Sequence, residues 1–365
     1  MALYCRIWAL RGPTRRHCGR RAAMADAKLR VGLIGTGVWG ETHLKAYTYD
    51  PGVDLVCICD KNEQLLAERA EEYGVANTVS DYGELLDRSD IDAVSVVTPD
   101  FLHKEIVIAA ARAGKHVLVE KPMATSVADC EEMLAAVEEA GITLMIDFHN
   151  RFNPIFTQLK EKVDAGDMGD PLMITLRLND TYYVPTQMLS WGGQSTVAWF
   201  LASHAADLAR WFFNSEVKRV YSVSRSTLLR AHGFDTPDFF HSILEYENGA
   251  VAHIENCWIM SEAMNAVCDF RGELICSDGT AIMNVIANRA LEVYDGVQGA
   301  SMPNPVAMFD IHGELRGFAV ESIRYFARCI REGREPFIKP IDGLRNTEAV
   351  VAIHESAQSG QPVEL

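Results

Sequence analysis

No apolar run in this 365-residue chain approaches the ~20 residues a transmembrane helix requires, so a helical membrane anchor is excluded. Basic residues are scarce. Against 50 Asp and Glu stand 34 Lys and Arg, and a formal charge of −16 argues against nucleic acid or anionic membrane as a partner. Nine cysteines fall without a C-x-x-C pair or other zinc spacing, and no His/Asp/Glu cluster shows ligand spacing. No disulfide and no metal are therefore expected, and the location expected is the reducing cytoplasm. Internal repeats and low-complexity tracts are absent. Acidic residues are missing from Met1 to Ala23, which carries Arg6, Arg11, Arg15, Arg16, Arg20 and Arg21. That stretch has the composition of a transit peptide but lacks a secretory apolar core. It is read here as a start assigned upstream of Met24, with residues 1–26 outside the functional fold.

What is present is an ordinary globular composition, 48% hydrophobic and 23% charged, on a chain long enough for two domains. Its most informative stretch is Val31–His43. A short apolar strand, Val31 to Ile34, runs straight into Gly35, Gly37 and Gly40, and an amphipathic helix follows over Glu41–Tyr49. This is the G-x-G-x-x-G turn of a dinucleotide-binding βαβ unit, with Thr36, Val38 and Trp39 between and beside the glycines. Gly35 permits the turn and Gly37 lets backbone N–H groups approach a pyrophosphate. Gly40 lets helix pack close on strand, and the helix N-terminus favours the anion. A second apolar run, Val53–Cys59, ends in Asp60, about 20 residues past the last glycine, where a carboxylate grips ribose hydroxyls. That carboxylate repels a 2′-phosphate and Lys61 partly offsets it, so NAD is favoured without NADP being excluded.

From Leu29 to about Phe148 strand and helix alternate. The strands are 30–34, 53–59, 93–98, 116–120 and 143–146; the helices are 61–73, 82–87, 104–113 and 126–140. Near-continuous apolar strands joined by helices predict a parallel, doubly wound α/β sheet over residues 27–149. Its ligands bind at the carboxyl ends of the strands. Those ends hold Thr98-Pro99 with His103 starting the next helix, and Glu120-Lys121-Pro122. Pro122 restricts Lys121 to extended geometry and seats it facing the cleft.

After Asn150 the pattern changes. A helix over 153–165 leads to a strand at 172–178, a polar and aromatic loop, and a helix over 196–213. Strands follow at 217–224, 238–246, 250–259, 266–276, 279–285 and 291–294, and helices at 312–332 and 343–359 close the chain. Runs of strands without helices between them predict an α+β domain over residues 150–365, with one open, mainly antiparallel sheet.

Taken together, these residues resemble the glucose–fructose oxidoreductase and inositol dehydrogenase family, Gfo/Idh/MocA, over Leu29 to Leu365. The glycine turn with His43, Asp60, Thr98-Pro99, His103 and Glu120-Lys121-Pro122 carry the resemblance. So do Arg151-Phe152 with Pro154, His204-x-x-Asp207, and Asp342-Gly343. It implies a two-domain NAD(P)-dependent dehydrogenase of a secondary hydroxyl on a sugar, cyclitol or glycoside, or a reductase of the matching ketone. It also implies Lys121 polarising the reacting oxygen, His204 as general acid/base, and a homodimer or homotetramer formed through the C-terminal sheet.

The chemistry agrees. Moving hydride from a carbinol leaves a hydroxyl proton that a histidine accepts near neutral pH, and an ammonium stabilises the developing alkoxide. The 196–213 helix sets His204 and Asp207 on one face, where Asp207 either orients the imidazole or caps local backbone. Two departures stand out. Many relatives carry an Asp four residues before the histidine, and here that position is Phe200. His149 stands where asparagine is commoner, with Arg151 retained toward the nicotinamide end. Phe200 and Trp199 suit the apolar face of a sugar ring. Asn179, Tyr182, Tyr183, Trp191 and Gln194 occupy the loop expected to roof the cleft. Two rival readings remain: an NAD-retaining enzyme that cleaves glycosides through transient oxidation, and a non-catalytic dinucleotide sensor.

Overall fold

The computed structural model describes residues 27–264, 266–285, 293–295, 299–301 and 306–365; the leader expected over 1–26, and positions 291 and 292 of the last expected strand, lie outside them. Six parallel strands form the first sheet: β1 (Leu29–Ile34), β2 (Val53–Cys59), β3 (Thr78–Val79), β4 (Ala93–Val96), β5 (His116–Val119) and β6 (Leu144–Ile146). Their spatial order is β3-β2-β1-β4-β5-β6, so the winding reverses between β1 and β4. A crevice opens beyond the strand ends at that reversal. Helices α1 (Val38–Thr48), α2 (Glu63–Tyr73), α3 (Tyr82–Leu86), α4 (His103–Arg112) and α5 (Val127–Ala140) connect the strands. Sequence marks their ends: Asn62 and Ser126 accept from the backbone N–H groups of Leu65 and Asp129, both at 3.1 Å, and Gly74 and Gly141 terminate α2 and α5 in left-handed geometry. Helix α1 starts at Val38, directly after Gly37, which places Gly40 inside its first turn.

The second half comprises α6 (Pro154–Asp164), β7 (Pro171–Asp180), α7 (Ser203–Phe213), β8 (Val217–Arg225), α8 (Leu228–Ala231), β9 (Phe239–Tyr246), β10 (Val251–Cys257), β11 (Cys268–Cys276) and β12 (Thr280–Asn284). Two short hairpins follow, β13 (Val293–Asp295) with β14 (Gly299–Ser301) and β15 (Phe309–Ile311) with β16 (Glu314–Arg316). Helices α9 (Phe318–Glu332) and α10 (Pro340–Ser359) and strand β17 (Val363–Glu364) end the chain. A seven-stranded sheet runs β12-β11-β7-β10-β9-β8-β17, antiparallel except at β7–β10. One face packs Ile174, Leu176 and Leu178 against α6, α7 and α10. The other face is open. Across it the register aligns Tyr221, Ile243, His253, Thr175, Glu273 and Ile282 in one row.

Three differences from the sequence reading have physical causes. The helix expected over 312–332 begins only at Phe318. His312 and Gly313 both sit at positive φ (53° and 86°) and turn the β15–β16 hairpin, and Gly317 holds φ 124° against the Ala307 carbonyl. The helix expected over 196–213 is interrupted by a π-helical turn, Ala198–Ala202, ahead of α7. That wide turn breaks the helical phase between Trp199, Phe200 and His204. Helix α9, assigned by sequence to the 150–365 unit, packs Val320, Ile323, Phe326 and Ala327 into the core of the first sheet.

Candidate active site

The glycine turn is shaped by its own backbone. Gly35 has φ 96°, and a Cβ there would collide with the Val97 carbonyl; a Cβ on Gly40 would collide with the Gly35 carbonyl. A Cβ added at Gly37 would meet nothing within 4 Å, and Val38, at the start of α1, is 57% exposed. Thr36 donates from its N–H (2.7 Å) and hydroxyl (3.0 Å) to Asp60 Oδ2, so Asp60 ties the turn to the end of β2 while Lys61 stays in solvent. The Thr98 hydroxyl, beyond β4, is buried without a partner among the described residues. An open cradle, a free helix N-terminus and an unpaired hydroxyl fit a bound dinucleotide.

Two expected cofactor residues have other duties. His103 is buried, with Nδ1 2.8 Å from the Pro122 carbonyl and Nε2 3.0 Å from the Thr98 carbonyl. It clamps the Thr98-Pro99 and Lys121-Pro122 segments together rather than facing the cleft. Glu120 points inward, its Oε1 accepting from Trp39 Nε1 (2.8 Å) and lying 3.0 Å from His43 Nε2. Asp147 joins them, with its Oδ2 3.8 Å from His43 Nε2. Sequence spacing showed no ligand cluster, yet the fold gathers His43, Glu120 and Asp147 with atoms within 4.8 Å of one another. Burial pushes Glu120 up to about 7, raises Asp147 well above the carboxylate range and lowers His43 to about 4. Two buried acids in contact hold at least one proton between them near neutrality, and a neutral histidine beside them is consistent with that.

At the end of β5, Lys121 donates its Nζ to the Phe200 carbonyl (2.7 Å) and lies 4.5 Å from the Phe200 ring centroid. No carboxylate among the described residues pairs with it, and burial lowers its pKa. The π-helical turn thus meets the ammonium with a carbonyl and an aromatic face. His204 follows one turn later. It is buried, and Asn150 Nδ2 lies 3.1 Å from its Nδ1. Burial lowers the imidazole well below its ordinary value, and Lys121 adds to the effect. His149 packs between Trp39 (centroids 5.0 Å), His204 (4.9 Å) and Phe318 (5.8 Å), with its own value pushed down to about 3 by burial. Trp191 meets Phe200 edge-on at 6.3 Å and Phe101 at 6.5 Å, forming an apolar wall.

Other expected contacts are not with the cleft. Asp207 neither orients His204 nor caps backbone: it binds Arg151 through Nε (2.9 Å) and Nη2 (2.5 Å). Arg151 also reaches Asp342 (3.2 Å) and is 4% exposed, so its guanidinium is held in the interior instead of toward nicotinamide. Trp199 is buried and stacks on His354 of α10 at 5.0 Å. Asn179 lies on the open side of β7, bound to Glu255 (2.7 Å) and to the Cys257 N–H (2.7 Å). Tyr183 lines a small surface pocket with Thr181, Glu262 and Met264. Beside Asn150, sequence reasoning missed Asp180. It shares the face of Leu176 and Leu178, is buried, and is pushed up to about 7 by burial against the opposing charge of Lys121. The period of two along β7 was the available signal.

A Rossmann sheet with this glycine turn and a lysine beyond β5, joined to a sheet domain whose helix α7 brings a histidine to it, defines a dinucleotide-dependent oxidoreductase. Residues 29–148 match the oxidoreductase family with NAD-binding Rossmann fold, and residues 156–282 match the GFO/IDH/MocA C-terminal domain. The chain belongs to the Gfo/Idh/MocA oxidoreductase family, and its first half is that family's NAD-binding Rossmann domain. Among its relatives, scyllo-inositol 2-dehydrogenase (NAD(+)) of Bacillus subtilis is 27% identical over 93% of this chain and 97% of its own length. Inositol 2-dehydrogenase 2 of Saccharopolyspora erythraea is 30% identical over 74% of this chain and 77% of its own. A levoglucosan dehydrogenase solved with NADH and L-sorbose superposes with a TM-score of 0.78 at 26% identity, over 92% of this chain and 98% of that one. Among the described residues no helix is long and apolar enough to cross a membrane.

Proposed function

We propose that this protein moves a hydride between a secondary hydroxyl, or the matching ketone, of a sugar, cyclitol or glycoside and NAD. A bound nicotinamide supplies the hydride acceptor; the protein supplies position and proton handling. The observation that carries the reading is the Lys121 ammonium fixed to the Phe200 carbonyl, one turn before His204, so that both side chains serve one oxygen. His204 takes the hydroxyl proton, and Lys121 stabilises the negative charge that develops. Trp191 and Phe200 offer an aromatic wall to the C–H face of a ring. His149, kept neutral, and Asp180 supply polar contacts to the remaining hydroxyls. The relatives' names, inositol and levoglucosan dehydrogenases, agree with this substrate class. The Asp60 carboxylate disfavours a 2′-phosphate, which supports NAD over NADP.

The open sheet face, with Tyr221, Ile243 and Ile282 at 42%, 44% and 76% exposure, supports pairing of two copies through it. Seven free cysteines among the described residues support a reducing, cytoplasmic location.

The test follows NADH formation across cyclitols, aldoses, sugar acids and glycosides, with His204→Ala beside the wild type. Turnover lost in the variant supports the reading and names the substrate class. NAD bound with no NADH from any alcohol overturns it in favour of transient-oxidation cleavage or sensing.

A further inference from the structure

His204 can act as a base toward a hydroxyl only if the cleft-facing nitrogen, Nε2, carries a lone pair. A neutral imidazole has one N–H, so the group that meets Nδ1 decides which nitrogen keeps the proton. In this chain that group is the side-chain amide of Asn150, whose Nδ2 lies 3.1 Å from Nδ1. An amide N–H facing Nδ1 leaves the imidazole proton on Nε2. In that form His204 donates a hydrogen bond into the cleft but accepts no proton there.

The Asn150 side chain makes no other hydrogen bond among the described residues, so its amide turns about Cβ–Cγ without breaking a second one. Its backbone stays in place, because the neighbouring Arg151 is locked between Asp207 and Asp342. Asp207, the carboxylate that sequence offered as an orienter for His204, is bound to Arg151, and Phe200 has replaced the acid one turn earlier. Asn150 is therefore the polar side chain left in contact with Nδ1.

We propose that Asn150 is the positioning residue that selects the tautomer of His204, and that its amide switches the histidine between an idle and an armed state. In the idle state Nδ2 faces Nδ1, as it does in the structure, and Nε2 holds the proton. In the armed state Oδ1 accepts Nδ1–H and Nε2 is free. Oxidation then balances. The C–H hydride goes to nicotinamide, the hydroxyl proton goes to Nε2, the ketone forms, and the resulting imidazolium keeps its Nδ1–H on Oδ1. Reduction runs the same states backward. This inference rests on the dehydrogenase reading, but its first test does not.

That test is the histidine 15N spectrum of the full-length protein, with His204→Gln used to assign the signal. The wild type should show Nδ1 unprotonated and Nε2 protonated. Asn150→Asp presents oxygen in either orientation and should move the proton to Nδ1. The same tautomer in both proteins overturns the proposal, whether or not any alcohol is oxidised. The second test is kinetic, once a substrate is in hand. Asn150→Leu removes tautomer selection and should lower kcat about 10- to 100-fold with KM little changed, the range seen for groups that orient a working histidine. Asn150→Asp should restore kcat relative to Asn150→Leu. It should also raise the acidic limb of the kcat/KM profile by about one pH unit or more, because a carboxylate favours imidazolium. A kcat for Asn150→Leu within twofold of wild type overturns the proposal.

Discussion

Lys121 keeps its ammonium on a carbonyl and an aromatic face with no carboxylate paired to it among the described residues, and that environment sets its behaviour. With no ion pair to hold the charge, burial lowers its pKa, so the charged form is lost earlier on raising pH than for an exposed lysine. Lys121→Met should reduce kcat by about 10²–10⁴-fold while NAD binding persists, a split measurable by steady-state kinetics beside calorimetric titration of NAD. A second residue-scale prediction concerns Glu120. Its folded value of about 7, against an ordinary 4.5, means the folded state binds the proton more tightly than the unfolded chain. The stabilisation is fully present below pH 4.5 and is lost as pH rises through 7. Glu120→Gln should therefore lose less thermal stability than wild type between pH 5 and 8. An identical decline in the two proteins would refute the shared-proton account.

Elements decide which of these side chains meet. Gly40 sits in the first turn of α1 because a Cβ there would strike the Gly35 carbonyl. Gly40→Ala should push α1 off β1, weaken NAD binding at least tenfold and cost about 1–3 kcal/mol in stability, read by titration and urea unfolding. Along β7 the alternation of side chains separates neighbours completely: Asn179 serves the open face and Asp180 the cleft. Sequence named Asn179 because loop position was weighed above strand period. The π-helical turn at Ala198–Ala202 was not legible at all, since its residues, Ala-Trp-Phe-Leu-Ala, suit an ordinary helix equally well. Only packing of Phe200 against Lys121 and of Trp199 against His354 reveals the break in phase. The hairpin turn at His312-Gly313 did have a signal, a glycine at a position of positive φ, which helical periodicity on both sides obscured.

At the scale of the whole molecule, Arg151 ties the turn after β6 to two helices of the second half. It leaves the 3-10 turn after β6 and binds Asp207 on α7 and Asp342 on α10, while Arg210 holds the other oxygen of Asp342 at 2.6 Å. Arg151→Leu strands Asp207 with an uncompensated buried charge and should cost about 3–5 kcal/mol, seen as a lower denaturation midpoint with unchanged slope. The proposed pairing of two copies through the open sheet also belongs to this scale. Ile243 lies within the exposed row and Ile282 at its end, so Ile243→Glu should convert an assembled species to single chains in light scattering without lowering the unfolding temperature.

Local rules in the sequence determined a great deal here. The glycine spacing, the apolar strands and the capping residues specify the nucleotide-binding half within a residue or two at most element ends, because each depends on neighbours no more than a turn away. Lys121 and His204 were named as catalytic through the family resemblance, not through local rules. What only tertiary structure decided is who answers whom across the cleft. Asn150 meets His204, Arg151 meets Asp207 and Asp342, and His43, Glu120 and Asp147 share one buried pocket. The hydrogen-bonded pairs are separated by 54 residues or more in the chain, and their pairing follows from the packing of α9 and α10 against the first sheet and of α7 against the turn after β6. No spacing rule records it, since the energy of each contact depends on burial that appears only once both halves are folded together.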